Sequence, residues 1–199
     1  MKNKYVQRSR ISEKKFKEIL KYFALDLQAN QIAQLTGISR NSINSYIKAI
    51  RHALMHASLS ASDKRQIHMG TTLLYGVKSH QHKISVEPLP GENNNTLYKL
   101  IRAHDIDGIN ALLDEPCGGL IDFAGKRFLQ LQHPALTPAQ NHETAAFWGY
   151  TKQRLVKFRG ISTQNIYLHL KECEFRYNQR ERDLYTLMLT YFRKHPLQL

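Results

Sequence analysis

Between Ser39 and Leu54 the sequence reads SRNSINSYIKAIRHAL, and helical spacing would gather Arg40, Asn41, Asn44, Lys48 and Arg51 on one side. Those side chains suit one chemistry. An Arg fork matches O6 and N7 of guanine, an Asn amide matches N6 and N7 of adenine, and Lys or Arg neutralises phosphate. On the other side Ile43, Tyr46, Ile50 and Leu54 recur at helical spacing and would face a core. Ser39 is placed to cap this helix and joins the DNA-contacting set at its N-terminus. A helix about 10 Å wide fits a major groove about 12 Å wide.

The elements that must hold this helix are legible upstream. ISEKKFKEILKYFALDL puts Ile11, Phe16, Ile19, Leu20, Phe23 and Leu27 at helical spacing behind a Ser12 cap. LQANQIAQLTG predicts a short helix ended by Gly37, which supplies the positive φ of a tight turn. Ala33 is small where the two helices approach, and Ile32, Ile38, Ile43 and Tyr46 fall at core positions. Short helix, Gly turn and second helix are the helix-turn-helix grammar; the other reading is a helical hairpin whose exposed face is merely polar. Lys2, Lys4, Arg8, Arg10, Lys14, Lys15 and Lys17 would add sequence-independent affinity.

Charge is distributed to match. The net +13 divides into +8 over residues 1–56, −1 over 57–150 and +6 over 151–199. Basic ends around a near-neutral centre suit a polyanion held at the ends, and double-stranded DNA is the partner expected, with no small-molecule substrate. No segment approaches the roughly 18 consecutive apolar residues of a membrane span, so no membrane is expected. MKNKYVQRSR lacks the apolar stretch of a secretory signal. Cys117 and Cys173 make no CxxC pair, which fits a reducing cytosol; a cytoplasmic location is the expectation.

The middle offers carboxylates. SLSASDKRQIHM reads as a polar linker. TTLLYGVK and KISVEPL, separated by SHQH, read as a strand pair, and GENNNTLYKLIRAH as a helix. GINALLD reads as an apolar strand ending in Asp114, where an open α/β sheet would carry its functional groups; a surface turn with Glu115-Pro116 is the alternative. Asp122 is a second candidate, or else a plain helix or loop carboxylate. LTPAQNHETAAFWGYTKQRLVKF starts a helix with Thr137, Pro138 and Gln140, and its inward face collects Glu143, Phe147, Tyr150, Arg154 and Phe158. An inward Glu143 would suit a divalent metal or, alternatively, the helix dipole. Lys152, Arg154, Lys157 and Arg159 form a basic run that would track phosphates or else line a solvated face. NIYLHLKECEFRY is read as core packing, and RERDLYTLMLTYFRKH as an amphipathic helix that closes the domain or meets a second protomer.

The stretch AFWGYTKQRLVKFRGISTQNIYLHLKECEFRYNQR closely resembles the C-terminal end of the ISXO-like insertion-sequence transposases. Those chains carry a Phe-Trp, an AKRRLRKFNGI-type basic helix and YLHLKECEFRFN; here Phe147-Trp148, TKQRLVKFRGI and YLHLKECEFRYN match them. RISEKKFKEIL…AQLTGISRNSINSYIKAIR is similar to the same family's N-terminal segment, while the middle matches weakly. The resemblance implies a ribonuclease-H-like core in which carboxylates, often with a final Asn, hold two Mg²⁺ ions for strand nicking and transfer. The family's second Asp maps onto Asp114. Its last ligand falls among Asn141, His142 and Glu143, with the ungapped match on His142. The family's first Asp has no counterpart: LLYGVK matches the strand that should follow it, and between Asp26 and Glu87 only Asp63 is acidic. Multimeric assembly is also implied by the resemblance, and no residue spells it out.

The fold expected is α+β or α/β: a helix-turn-helix domain over residues 1–56, a linker over 57–70, and a reduced ribonuclease-H-like domain with C-terminal helices over 71–199. Two functional readings follow. One is a compact transposase whose metal site uses Asp63, Asp114 and Glu143 or Asp122, with Asp114 and Glu143 as the metal ligands and Mg²⁺ as the cofactor. The other is a relative that binds DNA without cutting it and acts as a transcription regulator.

Overall fold

The computed structural model describes residues 3–58, 73–89, 94–158 and 161–199, which fall into two compact units. Residues 3–58 and 179–199 make the first, and residues 73–178 the second.

The first unit is built on α1 (Glu13–Ala24), α2 (Ala29–Thr36) and α3 (Arg40–Ser58). Ser12 caps α1 by accepting from Lys15 N, and Phe16, Ile19, Leu20 and Phe23 bury its apolar stripe. Gly37, at φ 69°, ends α2 in the left-handed region, where a Cβ would be strained. Ser39 Oγ then accepts from Ser42 N at 3.2 Å and starts α3. Ile43, Tyr46, Ile50 and Leu54 are buried as the spacing predicts, with Ile47 and Met55 widening the stripe.

Residues 179–199 complete this unit. Helix α8 (Leu184–Lys194) packs on α1, and the Phe192 ring meets Phe16 edge-on at 6.4 Å. Strand β1 (Val6–Gln7) pairs in parallel with β6 (Leu197–Gln198), and Leu197 N donates to Tyr5 O at 2.9 Å. The amphipathic helix read from RERDLYTLMLTYFRKH therefore closes the first unit, not the domain expected over 71–199. The reason is its apolar face: Met188 and Phe192 find their partners on α1, on the N-terminal side of the chain. Ala57 and Ser58 of the expected linker over 57–70 belong to α3, and the rest of that stretch lies outside the described residues.

The second unit holds a four-stranded sheet in the order β3-β2-β4-β5, antiparallel at every pairing. Strands β2 (Leu74–His80) and β3 (Lys83–Pro88) form the expected hairpin, and β4 (Gly119–Asp122) and β5 (Arg127–Gln130) form a second. Helices α4 (Asn94–Ala103) and α5 (Ile106–Leu112) cover one face through Leu97, Ile101 and Ile109, which pack on Leu74, Leu120 and Cys117. Helices α6 (Pro138–Val156) and α7 (Thr163–Asn178) cover the other, where Tyr75 stacks on Tyr167 at 5.9 Å and Phe128 on Trp148 at 5.4 Å.

An antiparallel sheet with helices between hairpins is α+β, so the α/β reading is corrected. GINALLD is not a strand but most of α5. Asp105 caps that helix by accepting from Gly108 N at 2.8 Å, and Ile106, Ile109 and Leu112 repeat every three residues. A short apolar run carries no period of its own; the cap in front of it decides. Likewise Asp122 sits neither on a helix nor in a loop: it ends β4.

Both thiols are core groups. Burial raises the Cys173 thiol and pushes that of Cys117 up to about 11. Neither is expected to react with a thiol reagent at neutral pH until the chain is unfolded in urea. Labelling of the native protein at the unfolded rate would contradict that packing.

Candidate nucleic-acid interface

The outer face of α3 carries Arg40, Asn41, Asn44 and Lys48, all exposed, directly opposite the buried Ile43, Tyr46, Ile47 and Ile50. Arg51 is half-buried further along. Ser45 is exposed on the same turn and donates to Asn41 O at 3.1 Å. Burial, with Lys48 and His56 adding to it, holds His52 below its usual range. The turn that aims α3 is fixed from α1: Lys15 Nζ donates to Thr36 O at 2.8 Å and pairs with Glu18 at 3.1 Å.

The N-terminal lysines are not equivalent. Lys4 and Lys17 both pair with Glu13, at 3.3 and 3.0 Å, and both lie over the Tyr5 ring. Hydrogen bonding from Lys17, then from Lys4, holds the Glu13 carboxyl below the usual carboxylate range. Such solvent-exposed pairs are worth little and can be exchanged for phosphate. Arg8, Arg10 and Lys14 are exposed, and Lys2 lies outside the described residues.

The basic run on α6 divides. Lys152 and Lys157 are exposed and Arg159 lies outside the described residues. Arg154 is corrected: it faces inward, buried, with Nη2 on Glu172 at 2.8 Å and Nη1 on Cys173 Sγ at 3.1 Å. Arg176 Nε reaches the same Glu172 oxygen at 2.8 Å. A guanidinium held this way cannot also reach a phosphate.

The three candidate carboxylates are not brought together. Asp122 is buried; its Oδ2 takes Arg127 Nε at 2.9 Å and its Oδ1 takes Gly125 N at 2.8 Å, so it locks the β4–β5 turn. Glu143 sits at the far end of the sheet, where Oε2 accepts from Ser79 Oγ and Oε1 meets His82 Nδ1 at 2.7 Å. Leu74, which pairs with Asp122, and Ser79 are five residues apart on β2, about 17 Å, and point to opposite faces. Asp114 is exposed after α5, and its neighbour Glu115 holds Lys78 at 2.6 Å on the face opposite Ser79. Two-metal chemistry needs ions about 4 Å apart held by shared carboxylates. This donor set does not fit Mg²⁺, and among the described residues no three His, Cys, Asp or Glu side chains gather to hold a metal. Asp63 lies outside the described residues.

Over 47 residues the chain is 43% identical to an uncharacterized transposase-like protein of Haemophilus influenzae. That similarity supports a transposase-related identity. The match covers 22% of this chain and 38% of the relative's length. No family model and no solved structure matches the chain. Among the described residues no helix is long and apolar enough to cross a membrane.

Two contributors to the site escaped the sequence reading. The amphipathic helix within residues 179–199 was legible, but which unit it closes was not, because parallel pairing of two-residue strands leaves no periodicity. The hold of Glu143 on the β2–β3 turn was hidden because its partners lie 61 and 64 residues away.

Proposed function

We propose that this transposase-related chain binds double-stranded DNA through a helix-turn-helix unit, with α3 seated in the major groove at the ends of an insertion sequence. The observation that carries the reading is the division of α3: Arg40, Asn41, Asn44 and Lys48 outward, an unbroken apolar stripe inward. We further propose that the second unit is a ribonuclease-H-like core reduced by its first strand, which leaves β2 to pair directly with β4. The engagement of Asp122 by Arg127 and of Glu143 by Ser79 and His82 favours binding without cutting, and hence a regulatory role. Assembly as a homo-oligomer on paired ends belongs to the same proposal.

Selection from random duplexes followed by salt titration tests this. Arg40→Ala is expected to lose about 1–3 kcal/mol on the selected site and to relax preference at one base pair. Lys48→Ala is expected to weaken all sequences alike and to lower the salt slope by about 1. Supercoiled plasmid with Mg²⁺ should stay intact. Salt-insensitive or absent binding by the wild-type chain overturns the DNA reading; metal-dependent nicking that Asp122→Ala removes restores the enzyme.

A further inference from the structure

The β2–β3 turn has only two residues between the paired His80 and Lys83. Both are left-handed, Gln81 at φ 49° and His82 at φ 60°, as a type I′ turn requires. That turn favours Asn-Gly; Gln rarely adopts its left-handed backbone, and His does so more readily than most side chains. What holds it is visible. Glu143 takes Ser79 Oγ and His82 Nδ1, and Gln140 Nε2 donates to Ser79 O at 2.9 Å. On the other strand Asn178 occupies both backbone groups of Ile84, accepting from N at 2.9 Å and donating to O at 2.8 Å. Two helices thus clamp the hairpin up to its last buried pair, Ser79 and Ile84.

Beyond the clamp every residue is exposed: His80, Gln81, His82 and Lys83. None is acidic and each carries a nitrogen donor. Glu143 accounts for His82, whereas the turn type sets no need for His80 or Lys83 and prefers Asn to Gln81. We propose that the tip of the β2–β3 hairpin is a second DNA-contacting element. His80, Gln81 and Lys83 meet phosphates and base edges of a duplex, and Glu143 acts as a positioning residue through His82 and Ser79. A two-stranded antiparallel ribbon is narrow enough for a major groove, a Gln amide reads adenine, and Lys neutralises phosphate. This rests on the proposal that the chain binds duplex DNA, but on residues of the other unit.

The test keeps the full chain and a mixed-sequence duplex several helical turns long. The triple variant His80→Ala, Gln81→Asn, Lys83→Ala leaves His82 on Glu143 and places the favoured residue first in the turn, so its melting temperature should hold. It is expected to bind about tenfold more weakly, with a salt slope smaller by about 1 and a hydroxyl-radical footprint shortened on one side. Lys83→Ala alone, which leaves the turn untouched, should lower the slope by the same amount. Arg40→Ala should change sequence preference and leave the tip's part of the footprint in place. Unchanged affinity, slope and footprint in the triple variant, with Arg40→Ala still impaired, overturn the tip alone. Absence of any binding by the wild-type chain overturns the helix reading and this one with it.

Discussion

Truncation after Asn178 is expected to abolish DNA binding, although α3 and every side chain on its outer face would remain. The first unit is closed by what this removes. Phe192 is fully buried, Met188 and Leu197 nearly so, and Phe192 packs on Phe16. Phe16 in turn touches Tyr5 and Tyr46, so the loss exposes the centre of the three-helix core. Deleting one buried Phe, Met or Leu side chain costs about 2–5 kcal/mol. Three such losses, plus the β1–β6 ladder, match the whole stability of an ordinary domain, about 5–15 kcal/mol. The milder Phe192→Ala is expected to cost about 3–5 kcal/mol and to weaken binding only where part of the population is unfolded. Circular dichroism and binding measured on the same samples check both. A truncated chain that melts cooperatively and keeps its affinity would show that residues 179–199 are an ornament on this unit.

This dependence marks the limit of what the sequence discloses. Helices α1, α2 and α3 were readable because each carries its own signals: Ser12 and Ser39 as caps, Gly37 as a stop, apolar residues at helical spacing between. The β2–β3 hairpin was readable for the same reason, with β-branched and aromatic residues on either side of a short polar turn. Where information is not local, reading stopped. The apolar run of GINALLD became a helix because Asp105 in front of it captures Gly108 N. GGLID became a strand because Leu74 to Val77 offered it an edge to pair with. Arg154 lies in a run of basic residues that looks like a surface track. Helical spacing turns it inward, but the carboxylate that receives it is on another helix, 18 positions away. The carboxylates were the least legible part. Their types suit metal chemistry, but residue type says nothing of whether an Arg127 or a His82 already holds them.

The ion cluster between α6 and α7 makes the strongest single-residue expectation. Glu172 is 1% exposed and serves two guanidiniums, Arg154 and Arg176, each about 4% exposed. A buried pair of this kind adds little net stability, because desolvation offsets most of the attraction. Its asymmetry is what matters. Glu172→Ala takes the shared carboxylate from two buried cations and is expected to cost about 3–5 kcal/mol. Arg154→Ala leaves Glu172 still paired with Arg176 and should cost less; Arg154→Met, which refills the space with apolar volume, less again. The order Glu172→Ala, Arg154→Ala, Arg154→Met is read from urea midpoints at constant slope. The same three proteins separate packing from recognition. Under conditions where Arg154→Met is fully folded, its salt slope on DNA should equal that of wild type, since this guanidinium never reaches a phosphate. Lys152→Ala, two residues earlier and exposed, should lower the slope by about 1. A reversed result, with the slope falling in Arg154→Met and not in Lys152→Ala, would place Arg154 on the DNA and open the α6–α7 cluster to solvent.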